Sequence, residues 1–343
     1  MQPPRIAAFA AVSAFGRGPW AVGGGVFAGR PAFRAVERFP VEGRRVRVAA
    51  ALPGRPDLVS ELAGVIDTAC DDAALSGPER ARCPLLLAVH ADPDAARSPE
   101  SRSAGALAAL LAQKCGLGLA PRAYTSACVA GTSALADAAA MVSGGDVDRV
   151  VVAAGYLVES DQFALFDAGR ALALDEVVRP FSADRKGIVL GDAVVAIVVE
   201  SAAAARARGA EPLGLLAGWG RAGDAYHVVQ PRPDGAGLAR AIAIALRRAG
   251  VDPSHVGYVN AHGTGTPQSD AAEAAAFRVA FGESRPAVSS TKSTHGHALE
   301  ASGLLEVVIT LLALRNGTMP VNAGFLGQDP DCDLDLVLEP GRR

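Results

Sequence analysis

Apolar positions along the chain fall into two patterns, short continuous runs and longer stretches with helical spacing. Residues 84–89, 148–155 and 192–200 are apolar at nearly every position, which predicts strands buried on both faces. Residues 5–15 and 123–127 read as further strands, and residues 57–75 and 103–115 as helices. An alanine-rich run follows Cys128 and closes at Gly144-Gly145, a good helix stop. Gly23-Gly24-Gly25 is expected to form a flexible loop and does not fit a GxGxxG fingerprint. Residues 161–186 read as a long, loop-rich excursion.

The alternation then starts again. Residues 213–220 are strand-like, and 237–249 form an amphipathic helix with Arg240, Arg247 and Arg248 facing solvent. A strand over 256–260, a helix over 271–281, a strand over 287–291 and a helix over 303–315 follow, the last stopped by Asn316-Gly317. Strands alternating with helices predict α/β layers. Each half has a buried strand whose end carries a chemically interesting residue. This predicts two similar halves meeting at one site, residues 1–201 with Cys128 and residues 202–343 with His262, Lys292 and His297, although no sequence repeat is visible. The Ala- and Arg-rich segment 201–212 is the expected seam.

Half of the 343 residues are hydrophobic and only 5% are aromatic, so a large core must be built from close helix–sheet contacts. The net charge is −3 with both signs scattered, and no basic block points to nucleic acid or a membrane surface. The five cysteines, Cys70, Cys83, Cys115, Cys128 and Cys332, are odd in number, irregularly spaced and contain no CxxC. That pattern predicts free thiols in a reducing compartment, and a cytoplasmic protein. Arg5 followed by an apolar run mimics a weak signal peptide but is read as the first core strand. The longest apolar helix candidate, 303–314, contains Glu306 and is too short to span a bilayer.

Three stretches carry candidate chemistry. In Tyr124-Thr125-Ser126-Ala127-Cys128-Val129 the thiol is placed on a turn between strand and helix. There the positive end of the macrodipole favours thiolate and lowers its pKa, a standard way to make a nucleophile. The plainer alternative is a buried small hydrophobe. The second stretch is Asn260-Ala261-His262-Gly263-Thr264-Gly265-Thr266-Pro267, followed by Asp270 and Glu273. A histidine where a strand opens into a Gly/Thr loop faces the space where α/β ligands bind, and the hydroxyls can hold a polar ligand. The third, Ser290-Thr291-Lys292-Ser293-Thr294-His295-Gly296-His297, leads into a helix carrying Glu306. Metal binding is the rival reading for His295 and His297, but no third or fourth ligand has suitable spacing. Lys292 and Glu306 also fit a structural ion pair.

Cys128, the His-Gly-Thr-Gly-Thr run and the Lys-x-x-x-Gly-His run, in this order, resemble the β-ketoacyl-[acyl carrier protein] synthases of the thiolase superfamily, the elongating Cys-His-His type. Arg179-Pro180-Phe181, Asp184-Arg185, Val189-Leu190-Gly191-Asp192 and Gly223-Asp224-Ala225-Tyr226-His227 add to the likeness, which runs from about Ala123 to Met319. The resemblance implies a thiolase-like αβαβα double domain, dimeric with itself or with a similar chain. It implies an acyltransferase in which Cys128 takes an acyl chain from a carrier protein. His262 and His297 would stabilise decarboxylation of a malonyl-type extender, and the resulting carbanion would attack the acyl-Cys128 thioester, in fatty-acid or polyketide biosynthesis. Lys292 would tune the histidines and contact Glu306, and Thr264 and Thr266 would hold the phosphopantetheine arm. No metal or diffusible cofactor is implied, and His295 falls off the catalytic pattern.

Two departures accompany the likeness. The chain ends at Asp335-Leu336-Val337-Leu338-Glu339-Pro340-Gly341-Arg342-Arg343, before any Gly-Phe-Gly-Gly-type turn, so the second half is expected to lack its last two strands. The first half is also short ahead of Cys128. Two alternatives follow: acyl transfer to an alcohol or amine without decarboxylation, and a non-catalytic partner subunit of a synthase.

Overall fold

The computed structural model describes residues 2–90, 103–118 and 121–343. The chain begins β1 (Arg5–Ser13), β2 (Gly16–Arg17), α1 (Pro19–Val26), β3 (Arg34–Ala35), β4 (Val48–Ala49), α2 (Leu58–Asp72), α3 (Gly77–Arg80) and β5 (Leu85–Val89). It continues α4 (Ala104–Lys114), β6 (Arg122–Tyr124), α5 (Ala130–Gly144), β7 (Arg149–Tyr156), α6 (Ser160–Ala168), β8 (Ala193–Glu200) and α7 (Ala202–Arg208). The rest is β9 (Gly214–Leu215), α8 (Ala236–Ala249), β10 (Tyr258–Asn260), α9 (Pro267–Phe281), β11 (Ala287–Ser289), α10 (Lys292–His295), α11 (Ser302–Asn316) and β12 (Asp335–Leu336).

Among the described residues the large sheet has the order β2-β1-β8-β7-β5-β6, with β9 also paired to β1. β5 runs parallel to β6 and β7, and β8 runs antiparallel to β1 and β7. Every residue of β5 and β8 is buried, because helices cover both faces. Successive side chains of β8 point to opposite sides. Val195, Ile197 and Val199 pack with α5 and α11, while Val194, Ala196 and Val198 pack with α2 and α4. α2 starts at Asp57, whose carboxylate accepts from Ser60 N–H at 2.9 Å. α5 ends at left-handed Gly145.

The smaller sheet, β10-β11-β12, is parallel throughout. α8 and α9 lie on its outer side, where Phe277, Phe281, Ile242 and Leu246 cluster with Val288 and Leu336. α11 lies between the sheets. Its Leu304, Leu305, Val308 and Ile309 join the large core, and Glu306 O accepts from the Asn260 side chain at 3.2 Å. The resulting order is helix, sheet, helix, sheet, helix. The halves also meet main chain to main chain: His297 N–H donates to Val189 O at 2.7 Å, and Gly191 N–H donates to His297 O at 2.9 Å.

Three sequence expectations are corrected. Gly23-Gly24-Gly25 lies inside α1, not in a loop. Pro19 starts this helix, and its glycines allow close packing: Gly25 lies under the Phe15 ring and Gly23 against Leu312 of α11. Of residues 213–220, only Gly214–Leu215 pairs as strand. Among the described residues one helical run, Ala127–Gly144, is long and apolar enough by length and composition to cross a membrane. Here it packs as a core helix, with Ala130, Ala134, Leu135 and Ala138 in the large cluster.

Candidate active site

Cys128 sits in a 3₁₀ turn, Ala127–Val129, that feeds directly into α5. Ala127 has φ +50°, a conformation that strains a residue bearing a Cβ by about 1–3 kcal/mol. This sharp turn after β6 presents Cys128 at the helix start, while Tyr124 Oη, at the end of β6, donates to Asp137 at 2.7 Å. Cys128 is partly exposed as a residue, yet burial of its thiol pushes the pKa up to about 11. Lys292 opposes that rise and Glu300 adds to it. The expected lowering is therefore overturned: desolvation outweighs the favourable charges around the helix start.

His297 Nε2 lies 3.2 Å from Cys128 Sγ. On the other side of the ring, Leu299 N–H donates to Nδ1 at 3.1 Å. A main-chain N–H can only donate, so Nδ1 is the acceptor and the neutral ring carries its proton on Nε2, toward sulfur. Ser302 Oγ stands 2.9 Å from Nδ1 and accepts from Ala298 N–H at 2.9 Å. Leu299 has φ +39°, so the imidazole, like the thiol, is flanked by a strained non-glycine residue. Burial, with Lys292 nearby, holds His297 well below the usual histidine range.

His262 follows the end of β10, its ring centroid 5.4 Å from that of His297 and nearly perpendicular to it. The Glu273 carboxylate fixes the loop, accepting from His262 N–H and Gly263 N–H, each at 2.7 Å. Burial and then Lys292 lower the His262 pKa to about 3. Lys292 is fully buried and ion-paired to Glu306 of α11, whose carboxyl burial pushes upward. Asp270 braces the next turn, accepting from Phe181 N–H at 2.8 Å and Gly265 N–H at 3.1 Å. Burial raises its pKa to about 7.

The structure thus brings Cys128, His262, His297, Lys292 and Glu306 together. A cleft of about 1160 Å³ reaches them, lined there by Cys128, His262 and Glu306. Thr264 and Thr266 are adjacent, their hydroxyls 3.0 Å apart, but neither lines the cleft. His295 is buried outside the group, Nε2 bonded to Thr291 Oγ1 at 2.9 Å and Nδ1 unpartnered. Several of the remaining motif residues are supports, whereas Gly223 and Asp224 line the cleft and Tyr226 and His227 are exposed. Arg185 pairs with Asp329, and Asp192 accepts from Leu52 and Val158 N–H and pairs with Arg38. Gly191 leaves room for the His295 carbonyl, where a Cβ would collide.

Sequence reasoning passed over Ser302 and the buried Glu300, whose Oε1 lies 3.1 Å from His90 Nδ1. A serine at the first position of a helix, five residues past a candidate histidine, was the available signal for Ser302. Glu300 lies 210 residues from its partner and had no local signal.

Two family profiles match the chain: "beta-ketoacyl synthase, N-terminal domain" over residues 86–205 and "beta-ketoacyl synthase, C-terminal domain" over residues 213–326. A 3-oxoacyl-[acyl-carrier-protein] synthase 2 of Staphylococcus aureus is 37% identical over 222 residues, covering 63% of this chain and 55% of that protein. The match thus spans about half the length of such curated relatives. The fold is also that of solved ketosynthases. A structure described as the ishigamide ketosynthase/chain length factor superposes with a TM-score of 0.90 at 28% identity, over 99% of this chain and 93% of that one. A type II polyketide synthase acyl carrier protein in complex with its hexaketide-bound ketosynthase gives 0.88 at 25% identity, over 98% and 92%. A β-ketoacyl synthase from Burkholderia phymatum gives 0.85 at 26% identity, over 99% and 93%.

Proposed function

The chain belongs to the β-ketoacyl synthase family, and on that footing we propose that it transfers acyl groups through Cys128 and extends them by decarboxylative condensation. The carrying observation is the meeting of Cys128 Sγ with His297 Nε2 at 3.2 Å, with the His262 ring beside them. In the first step the Cys128 thiolate attacks the thioester carbonyl of an acyl group on a carrier protein's phosphopantetheine. The carrier thiol leaves with the proton. The Cys128 N–H favours the thiolate, and so does the Lys292 charge.

In the second step a malonyl-type thioester enters. Its C–COO⁻ bond breaks, CO₂ leaves, and the electron pair moves onto the thioester as an enolate. Neutral His262 and His297 can donate N–H hydrogen bonds where that negative charge develops, the position at which such donors count most. The carbanion then attacks the acyl carbonyl on Cys128, forming the new C–C bond and expelling the thiolate. Residues 1–201 supply the nucleophile and residues 202–343 the two imidazoles and Lys292. Thr264 and Thr266, one loop turn beyond His262, are assigned to the pantetheine arm, and Glu306 keeps Lys292 in place.

The substrates arrive on carrier proteins, and the chemistry needs neither metal nor diffusible redox cofactor. The chain works as a dimer with itself or with a similar chain. The five free thiols suit a reducing compartment, and we place the reaction in the cytoplasm. Transfer to an alcohol or amine would use Cys128 but leave the His262–His297 pair without an enolate to stabilise. A non-catalytic subunit would need none of these groups at one point.

Intact-mass measurement after incubation with short, medium and aromatic acyl-carrier-protein thioesters tests the proposal. An acyl adduct on the wild type and none on Cys128→Ala is the expected result. No adduct from any donor would overturn it.

A further inference from the structure

We infer that His90 and Glu300 form a positioning pair that holds the turn after His297, and with it the proton of that imidazole on Nε2. His297 Nδ1 has two neighbours, Leu299 N–H at 3.1 Å and Ser302 Oγ at 2.9 Å. A hydroxyl can donate or accept, whereas a main-chain N–H can only donate. Leu299 alone therefore fixes the tautomer. It does so from φ +39°, left-handed main chain that a leucine keeps only where its surroundings hold it there. Leu299 begins the 3₁₀ turn Leu299–Ala301. The main-chain bonds of that turn, Ala301 N–H to Ala298 O at 2.9 Å and Ser302 N–H to Leu299 O, stay within it and its flanks. They set its shape but not its place in the fold.

Two contacts of Glu300 supply that place. On one side its carbonyl lies against the first turn of α5, where a Cβ on Gly131 would come within 2.8 Å of the oxygen. On the other its side chain reaches the end of β5, with Oε1 at 3.1 Å from His90 Nδ1. A carboxylate can only accept, so Nδ1 is the donor. Strand register brings His90 to this point. It is the first residue past β5 and continues the side of the sheet on which Leu86 and Ala88 pack with Leu299 and Ala301. The parallel pairing of Val89 with Gly155 sets His90 beside Tyr156 of β7, which belongs to the same cluster.

Glu300 is 2% exposed, and its Oε2 has no partner among the described residues. A buried carboxylate with one partner is a burden on stability, so what this one contributes is position. Its hydrogen bond is the chief cause that raises the His90 pKa, and an imidazolium is the stronger donor to it. The partners lie 210 residues apart. Their contact ties the end of β5, in the half that carries Cys128, to the lead-in of α11, in the half that carries His297. Among the described residues neither side chain hydrogen-bonds the Cys128 thiol or the His297 ring, whose partners are each other, Leu299 and Ser302. Both are therefore positioning residues that act through Leu299.

The test compares the full chain with Glu300→Ala, Glu300→Gln and His90→Phe, each isotopically labelled at the histidine nitrogens. NMR of the wild type is expected to show His297 with a protonated Nε2 and an unprotonated Nδ1. Glu300→Ala and His90→Phe release the turn, and His297 should become a mixture of tautomers. The kcat for malonyl-carrier decarboxylation, a readout that rests on the proposed condensation, should fall about tenfold with KM unchanged, the scale of a small misplacement. Glu300→Gln keeps an oxygen that can accept from His90 Nδ1–H, and should restore both the tautomer and most of kcat. A single Nε2–H tautomer in Glu300→Ala overturns the inference, as does a Glu300→Gln chain no better than Glu300→Ala. A kcat that falls only in step with Tm while the tautomer holds makes the pair a structural brace and also overturns it. Should Glu300→Ala not fold, His90→Phe, at an exposed position, decides: an unchanged tautomer there overturns the inference. A wild type that decarboxylates no malonyl donor would sink the condensation reading, and the tautomer comparison would still decide this one.

Discussion

Cys128 Sγ faces an imidazole, that of His297, whose far nitrogen is already occupied by a main-chain donor, leaving Nε2–H to point at sulfur across 3.2 Å. The pair is therefore set up as a hydrogen-bond donor to sulfur, not as a base that strips the thiol. This separates its behaviour from that of a Cys–His ion pair, in which a low thiol pKa and a protonated imidazole go together.

The first consequence is a rising alkylation profile. With the thiol pKa pushed up to about 11, the thiolate fraction grows about tenfold per pH unit over the neutral range. Iodoacetamide labelling of Cys128, read by peptide mass spectrometry, should accelerate about 100-fold from pH 7 to 9. The other cysteines are buried and should label only on unfolding. A profile that bends over near pH 8.5 would show an ordinary thiol, and a plateau below that an activated one.

Both site histidines should stay neutral through the working range. The His262 pKa is lowered to about 3 and that of His297 lies well below the ordinary value. A lowered histidine pKa means protonation, and loss of the neutral ring, begins only at strongly acid pH. Malonyl-carrier decarboxylation should thus show no inflection near pH 6.5 attributable to either ring. His262→Ala should still form the acyl adduct while losing decarboxylation by about 10²–10³, the usual cost of an oxyanion donor.

Ser302→Ala removes the hydroxyl that links His297 Nδ1 to Ala298 N–H. Ser302 is a positioning residue, so its loss should lower kcat about tenfold with KM little changed. Steady-state kinetics alongside Tm would reveal the opposite split if the hydroxyl served only stability.

Gly131→Ala should be costly. A Cβ there would come within 2.8 Å of Glu300 O, main chain that cannot swing aside, and a Cβ on Gly303 would likewise come within 2.5 Å of the Thr132 side chain. Overpacking of this kind costs about 1–3 kcal/mol, measurable by urea unfolding. Because Gly131 is one turn beyond Cys128, acylation should slow as well.

Glu300→Gln should return His90 toward its ordinary pKa. The Glu300 side chain raises the His90 value chiefly through their hydrogen bond. NMR titration of the His90 ring would check this; an unchanged midpoint would show that the contact is not formed in solution.

Much of the fold was readable because the buried strands are almost uniformly apolar and the helices have clear caps. Cys128, His262, Lys292 and His297 stood out on the turn and the Gly/Ser/Thr loops that follow such strands, and the structure brings them together with Glu306. What escaped was tertiary in origin. The glycines of α1 argue for a loop by intrinsic preference, but docking on Phe15 and Leu312 favours a helix. Residues 213–220 have the composition of a strand, but beyond Leu215 only Leu216 N–H still bonds to the first strand's lead-in, at Pro4 O, and Gly218 and Gly220 then lie against α8. The sign of the Cys128 shift was misread because the helix start is visible in sequence and the desolvation around it is not. The role of Leu299 depends on a left-handed main-chain angle that leucine rarely adopts.

The bridge between Leu190 and His297 makes the spacing of nucleophile and imidazole a matter of register. A slip of one residue along that bridge would carry His297 about 3.3 Å, as far again as its present 3.2 Å separation from sulfur. The two halves therefore act as a vernier: either they are locked at one setting and the site exists, or they are one notch off and it does not.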